Sequence, residues 1–168
     1  MTTKILPINE QSLNQAAAII RSGGLVAFPT ETVYGLGADA LSPQAVKKIF
    51  EAKGRPGDNP LIVHISSHEN LPQIVREVPR EAETLLRRFA PGPLTLVLKR
   101  NYNIPNEVTA GLETVGVRIP SHPAARAFIN ACGRPIAAPS ANLSGSPSPT
   151  SAQHVLADLS GRIEIILD

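Results

Sequence analysis

The 168 residues are 42% hydrophobic, which excludes a disordered chain as the first reading and suits one domain with a sizeable core. Lys and Arg number 16 against 14 Asp and Glu, and a net charge of +2 is too small to mark a nucleic-acid binder, so any RNA contact must rest on local patches. A single cysteine excludes an internal disulfide and fits a reducing cytoplasm, no stretch nears the ~18 apolar residues of a membrane span, and no Trp, two Tyr and four Phe leave few platforms for stacking bases.

In chain order, Leu13, Ala16, Ala17 and Ile20 share a helical stripe that Ser12 opens and Gly23 and Gly24 close. A strand over residues 25–28 follows. Ser42 and Pro43 form a cap-then-proline start, with Val46, Ile49 and Phe50 inward, Lys47, Lys48 and Glu51 outward, and Gly54 as the stop. Residues 61–65 read as a strand buried on both faces, and the next helix carries Ala82, Leu85, Leu86 and Phe89 until Pro91 and Gly92 end it. Strands are predicted over 94–98, 115–119 and 136–138, with a helix started by Ser121 and Pro123 between the last two. A helix with Val155, Leu156 and Leu159 and a strand over 163–167 complete the pattern. The fold class is α/β, a single-layer twisted mixed sheet with packed helices, its strand order left open.

Four segments hold chemistry. Residues 29–37, PTETVYGLG, concentrate Thr30, Glu31, Thr32 and Tyr34, a density of polar groups that is costly to bury without partners. A ligand loop and a polar turn both fit. Residues 53–60, KGRPGDNP, put Lys53 and Arg55 two apart, on one side of an extended backbone, where they would face a triphosphate; a solvated charged turn is the plainer alternative. Ser140 and Asn142 (SAN) follow a strand's carboxyl end and offer a hydroxyl and an amide to a phosphate or ribose, although a capped turn has the same letters. Arg118, in TVGVR, either grips a carboxylate or sits as an edge charge, and for His64, in an otherwise apolar strand, a hydrogen-bonded core histidine is the commoner explanation. No Walker-type phosphate loop is present, and no glutamate between His64 and His68 supports a zincin.

Together, PTETVYGLG, KGRPGDNPLIVHI, TVGVRIP and IAAPSANLSG resemble, in order and spacing, the YrdC-like threonylcarbamoyl-AMP synthase family, from about residue 10 onward. The resemblance implies a YrdC-like fold with an open concave cleft over residues 1–168. It further implies synthesis of threonylcarbamoyl-AMP and pyrophosphate from L-threonine, bicarbonate and ATP, with Mg2+ accompanying the ATP. Downstream threonylcarbamoyl transferase proteins would then modify tRNA, direct tRNA contact being left open. Carried over by position, Lys53 and Arg55 are the catalytic cations. Arg55, Asn59, Thr114, Ser140, Asn142 and Ser148 would bind ATP, and Thr32, His64, Arg118 and Ala138 would bind threonine. No side chain is assigned to a metal, and Cys132 need not be activated, because adenylyl transfer requires no covalent nucleophile. Family domains continue beyond the position of Asp168 with a serine for threonine and an arginine for nucleotide, so the domain is expected to be C-terminally incomplete. The expected location is the cytoplasm, without membrane contact. Two other readings stand beside this one: a non-catalytic RNA-binding module, whose tRNA affinity would fall steeply with salt, and a carbamoyl-adenylate-forming domain of hydrogenase maturation.

Overall fold

The computed structural model describes residues 2–168. Its elements run β1 (Lys4–Leu6), α1 (Glu10–Arg21), β2 (Val26–Phe28), β3 (Gly35–Asp39), α2 (Pro43–Lys53), β4 (Ile62–His64), α3 (Arg80–Phe89) and β5 (Thr95–Lys99). They continue with α4 (Asn106–Thr109), β6 (Thr114–Arg118), α5 (Pro123–Cys132), β7 (Ile136–Ala137), α6 (Ala152–Leu159) and β8 (Ile165–Leu167), and a 3-10 turn, His68–Gln73, follows β4. No helix among the described residues is long and apolar enough to cross a membrane.

One mixed sheet of eight strands carries the fold, in the order β1-β8-β2-β3-β7-β4-β6-β5. Successive side chains on a strand point to opposite faces, and that alternation divides the core in two. Val26, Phe28, Ile136, Ala138, Ile165 and Leu167 pack with α1 (Ala16, Ala17, Ile20) and α5 (Ala125, Phe128, Ile129). Their neighbours Ala27, Ala137 and Ile166 pack on the opposite side, with Val46 and Ile49 of α2 and Val155 and Leu159 of α6. Both faces are therefore covered over the central strands, which explains why these read as short continuous apolar runs, while β5 and β6 leave alternate residues partly exposed.

Several element boundaries differ from the sequence expectation. Helix α1 begins earlier: Asn9 is its cap, accepting from the Ser12 amide at 2.9 Å, while the Ser12 hydroxyl accepts from the Asn9 amide at 3.0 Å. That reciprocal box satisfies two otherwise orphaned N–H groups. His122, not Ser121, caps α5, its ring accepting from the Ala124 amide at 3.2 Å. On α3 only Ala82 and Leu86 face the core, whereas Leu85 and Phe89 are 40% and 51% exposed. Ser42, Pro43 and Gly54 bound α2 as read, with Gly54 at φ 60.

The largest departure is β3. Residues 35–39 form a buried central strand between β2 and β7, where the sequence pattern indicated the end of a loop. Its glycines make room for large neighbours: a Cβ on Gly37 would lie 2.9 Å from Ile136 Cγ2 and 3.0 Å from Phe28 Cε1. Gly37→Ala is therefore expected to lower the unfolding free energy by ~1–3 kcal/mol, the usual cost of overpacking a core. Urea denaturation checks this, and an unchanged midpoint would mean that Phe28 and Ile136 shift without penalty.

Candidate functional site

The turn after β2 is organised by Thr30, whose hydroxyl donates to Val33 O at 2.6 Å and accepts from the Thr32 amide at 3.2 Å. That turn aims Glu31 and Thr32 at β6. Glu31 Oε1 pairs with Arg118 Nη2, and the same nitrogen donates to Thr32 Oγ1 at 3.2 Å. The other carboxylate oxygen accepts from the Ser121 amide at 2.6 Å, the Ser121 hydroxyl at 3.0 Å and the His122 amide at 3.1 Å. Burial alone would raise the Glu31 pKa, but the Arg118 guanidinium and these amides outweigh it and hold the carboxyl at about 2.

Strand register brings His64 to the same place. In the parallel pair of β4 and β6, His64 stands beside Arg118, and on its other side it faces Ile136 of β7. It is buried, with Nδ1 3.3 Å from Ile62 O and the ring packed edge-on to Phe28. Burial, reinforced by the Arg118 charge, pushes its pKa down to about 4, so the imidazole is neutral near pH 7. Thr30, Thr32, Tyr34, His64, Arg118, Ala138 and Ser140 line a cavity of about 160 Å³. Arg118 is only partly engaged there: Nε is buried without a partner, and Nη1 makes no hydrogen bond among the described residues.

Behind the cavity the loop after β7 is tied down from two directions. Toward β3, the Leu36 amide donates to Pro139 O and the Ala141 amide to Tyr34 O, both at 2.8 Å. Toward α2, Lys53 Nζ donates to Ser140 O and to Asn142 O, both at 2.6 Å, while the Ser144 amide donates to Lys53 O at 2.9 Å. Burial, and after it the charge of Arg55, lowers the Lys53 pKa to about 8. Asn142 turns inward, its amide donating to Leu143 O and Ser146 O, and its buried Oδ1 has no partner.

The four residues expected to meet threonine therefore share one cavity, with Ser140 on its wall. Lys53 and Arg55 do not project side by side from an extended backbone. Lys53 ends a helix, Gly54 reverses the chain, and Lys53 is 3% exposed while Arg55 lies half-buried in the turn beyond. Arg55 reaches Asn59 O at 3.4 Å and stacks over Phe50. Ser148 lines a separate depression with Ser146, Thr150, His154 and Asp158, and Thr114 sits at the far end of β6 from Arg118. Glu31, Tyr34 and Ser121 are not among the expected substrate-binding residues, although a carboxylate inside PTETVYGLG is a signal that a cation lies nearby. Among the described residues no three His, Cys, Asp or Glu side chains gather to hold a metal ion. Cys132 is buried, and burial pushes its thiol up to about 12, far from a reactive thiolate at neutral pH.

Comparison with known proteins places this geometry. The Sua5_yciO_yrdC family model, described as "Telomere recombination", matches residues 18–168. The threonylcarbamoyl-AMP synthase of Pyrococcus abyssi is 60% identical over 161 residues, covering 96% of this chain and 47% of that protein. The Bacillus subtilis enzyme of the same name is 57% identical, covering 99% of this chain and 48% of its own length. The crystal structure of P. abyssi Sua5 complexed with L-threonine superposes with a TM-score of 0.96 at 57% identity, over 100% of this chain and 50% of the other. The chain thus spans about half the length of the curated relatives it matches. With a family model matched over residues 18–168 and a shared mixed sheet, this chain belongs to the Sua5/YciO/YrdC family.

Proposed function

We propose that this chain is the domain that forms threonylcarbamoyl-AMP, an L-threonylcarbamoyladenylate synthase acting on L-threonine, bicarbonate and ATP. The observation that carries the reading is the half-satisfied Arg118 in its small cavity: a buried guanidinium with a donor left unpaired needs an acceptor, and an amino-acid carboxylate supplies one. Thr32 and the neutral His64 offer hydrogen-bonding partners to the ammonium and hydroxyl without adding charge. The names of the 57–60% identical relatives, and the threonine held by one of them, support the same substrate.

The threonine amine attacks the carbon of bicarbonate, water leaves, and an oxygen of the resulting carbamate attacks the α-phosphorus of ATP as pyrophosphate departs. Charge builds on the phosphate oxygens, and Arg55, in the turn just beyond the end of α2, is the cation assigned to oppose it. Lys53 acts one step back by holding the carbonyls of Ser140 and Asn142, which sets where the loop presents its hydroxyl. Magnesium belongs to the reaction as the counter-ion of the ATP phosphates, a binding mode that needs few protein ligands. The product serves tRNA modification through separate transferase proteins, and a cytoplasmic setting suits that role.

Purified protein given ATP, threonine, bicarbonate and magnesium is expected to release pyrophosphate only when threonine is present; equal release without it overturns the reading. Carbamoyl phosphate in place of threonine plus bicarbonate is expected to be inert, which separates this activity from the hydrogenase-maturation alternative. Arg55→Ala should cut turnover at least tenfold, a loss of ~1.4 kcal/mol of transition-state binding. Wild-type turnover in that variant would remove Arg55 from the chemistry. Arg118→Ala should raise the threonine KM ~10–100-fold, matching the ~1.5–3 kcal/mol of a charge-assisted hydrogen bond, and initial-rate kinetics with threonine varied check it.

A further inference from the structure

Glu31 is not among the residues that line the cavity, yet its carboxylate accepts four hydrogen bonds beside it. Its carboxylate joins three separate pieces of chain: the turn after β2 that carries it, Arg118 at the end of β6, and Ser121 and His122 at the start of α5. The pair is poorly hydrated, with Arg118 11% and Glu31 19% exposed. A cation that sheltered retains several orientations unless something fixes its plane.

Glu31 and Thr32 together fix it through one nitrogen. Both draw on Nη2, so the unpartnered donors are those of Nε and Nη1. The carboxylate thereby decides which part of the guanidinium remains for a ligand. Because Glu31 also holds two backbone amides and a hydroxyl of the next segment, Arg118 cannot swing without dragging the start of α5 with it. We propose that Glu31 is a positioning residue of the amino-acid cavity, locking Arg118 and the turn at residues 30–34 to the first turn of α5 so that Nη1, the terminal nitrogen of Arg118 that Glu31 and Thr32 leave unused, is kept for a carboxylate. This inference rests on the threonine reading above.

Charge and geometry make opposite forecasts for its removal. A carboxylate beside the site repels an incoming carboxylate, so deleting its charge would strengthen threonine binding if electrostatics alone mattered. Loss of positioning weakens it instead. Glu31→Gln keeps the size, but its amide nitrogen cannot accept from Arg118 or from the Ser121 and His122 amides.

Threonine binding is measured by calorimetry on the wild-type chain and on E31Q, and the ATP KM from pyrophosphate release. The expected result is a threonine Kd at least tenfold weaker in E31Q with the ATP KM changed less than twofold. A threonine Kd that is unchanged or tighter overturns the proposal, as does equal weakening toward both ligands, which would mark a general loss of structure. If the wild-type chain itself binds no threonine, the substrate reading has failed rather than this one alone. Should E31Q not fold, Glu31→Asp carries the test: it keeps the charge but is one methylene too short to reach Arg118 and Ser121 together. A threonine Kd at least threefold weaker is expected there, and a wild-type value overturns the proposal.

Discussion

A buried ammonium must find acceptors, and much of the site's architecture follows from where Lys53 finds them. Placed at the end of α2 with almost no exposure to solvent, it takes the carbonyls of Ser140 and Asn142, and its own carbonyl accepts the Ser144 amide. Leaving such a charge unpaired would cost several kcal/mol, so the Ser- and Pro-rich loop cannot drift away from α2 without a large penalty. The same loop is stitched to β3 on its other flank. A segment whose composition favours disorder is thus held in one conformation, and Ser140 becomes a wall of the cavity.

The cavity itself carries little net charge. Arg118 is balanced by Glu31, and His64 is kept neutral because burial and the neighbouring guanidinium both disfavour its protonation. What remains is direction: unpaired N–H groups of Arg118, the hydroxyls of Thr32 and Ser140 and an imidazole, around about 160 Å³. Fixed dipoles of this kind hold a zwitterion by matching its ends rather than by excess charge. Donors set before the ligand arrives need no reorganisation during the chemistry that follows.

Helices bounded by strong chemical punctuation were legible in the sequence, as Ser42, Pro43 and Gly54 illustrate for α2. Where two capping residues compete, the written signal misleads: Ser12 and Asn9 form one reciprocal box, and a capping side chain at either end reads as the start. Strand β3 was hidden for a physical reason. Its glycines exist to clear Phe28 and Ile136, so the residue type that normally marks a turn marks close packing instead. The short edge strand β1, with exposed Lys4 and Ile5, carried no alternation to detect. At the site, the residues expected to meet threonine came from family resemblance, and they converge on one cavity. The relation between Lys53 and Arg55 did not follow from an extended-chain assumption, because a left-handed glycine lies between them.

Sheet register is what turns distant letters into one site. His64 and Arg118 are far apart in sequence, yet the parallel pairing of β4 with β6 sets them on adjacent strands, ~4.8 Å apart in the ladder direction. The antiparallel pairing of β4 with β7 sets Ile136 against His64 and Ala137 against Val63, and the Ala138 amide then donates to Ile62 O, so Ala138 and Ser140 line the same cavity as His64. A one-residue slip in either ladder would turn His64 or Arg118 to the opposite face. The apolar side chains that disfavour such a slip, Val63, Val117, Ile136 and Phe28, are buried and do not line the cavity. Core packing is therefore a term in the chemistry of this site: it holds the register, and the register holds the guanidinium beside the imidazole.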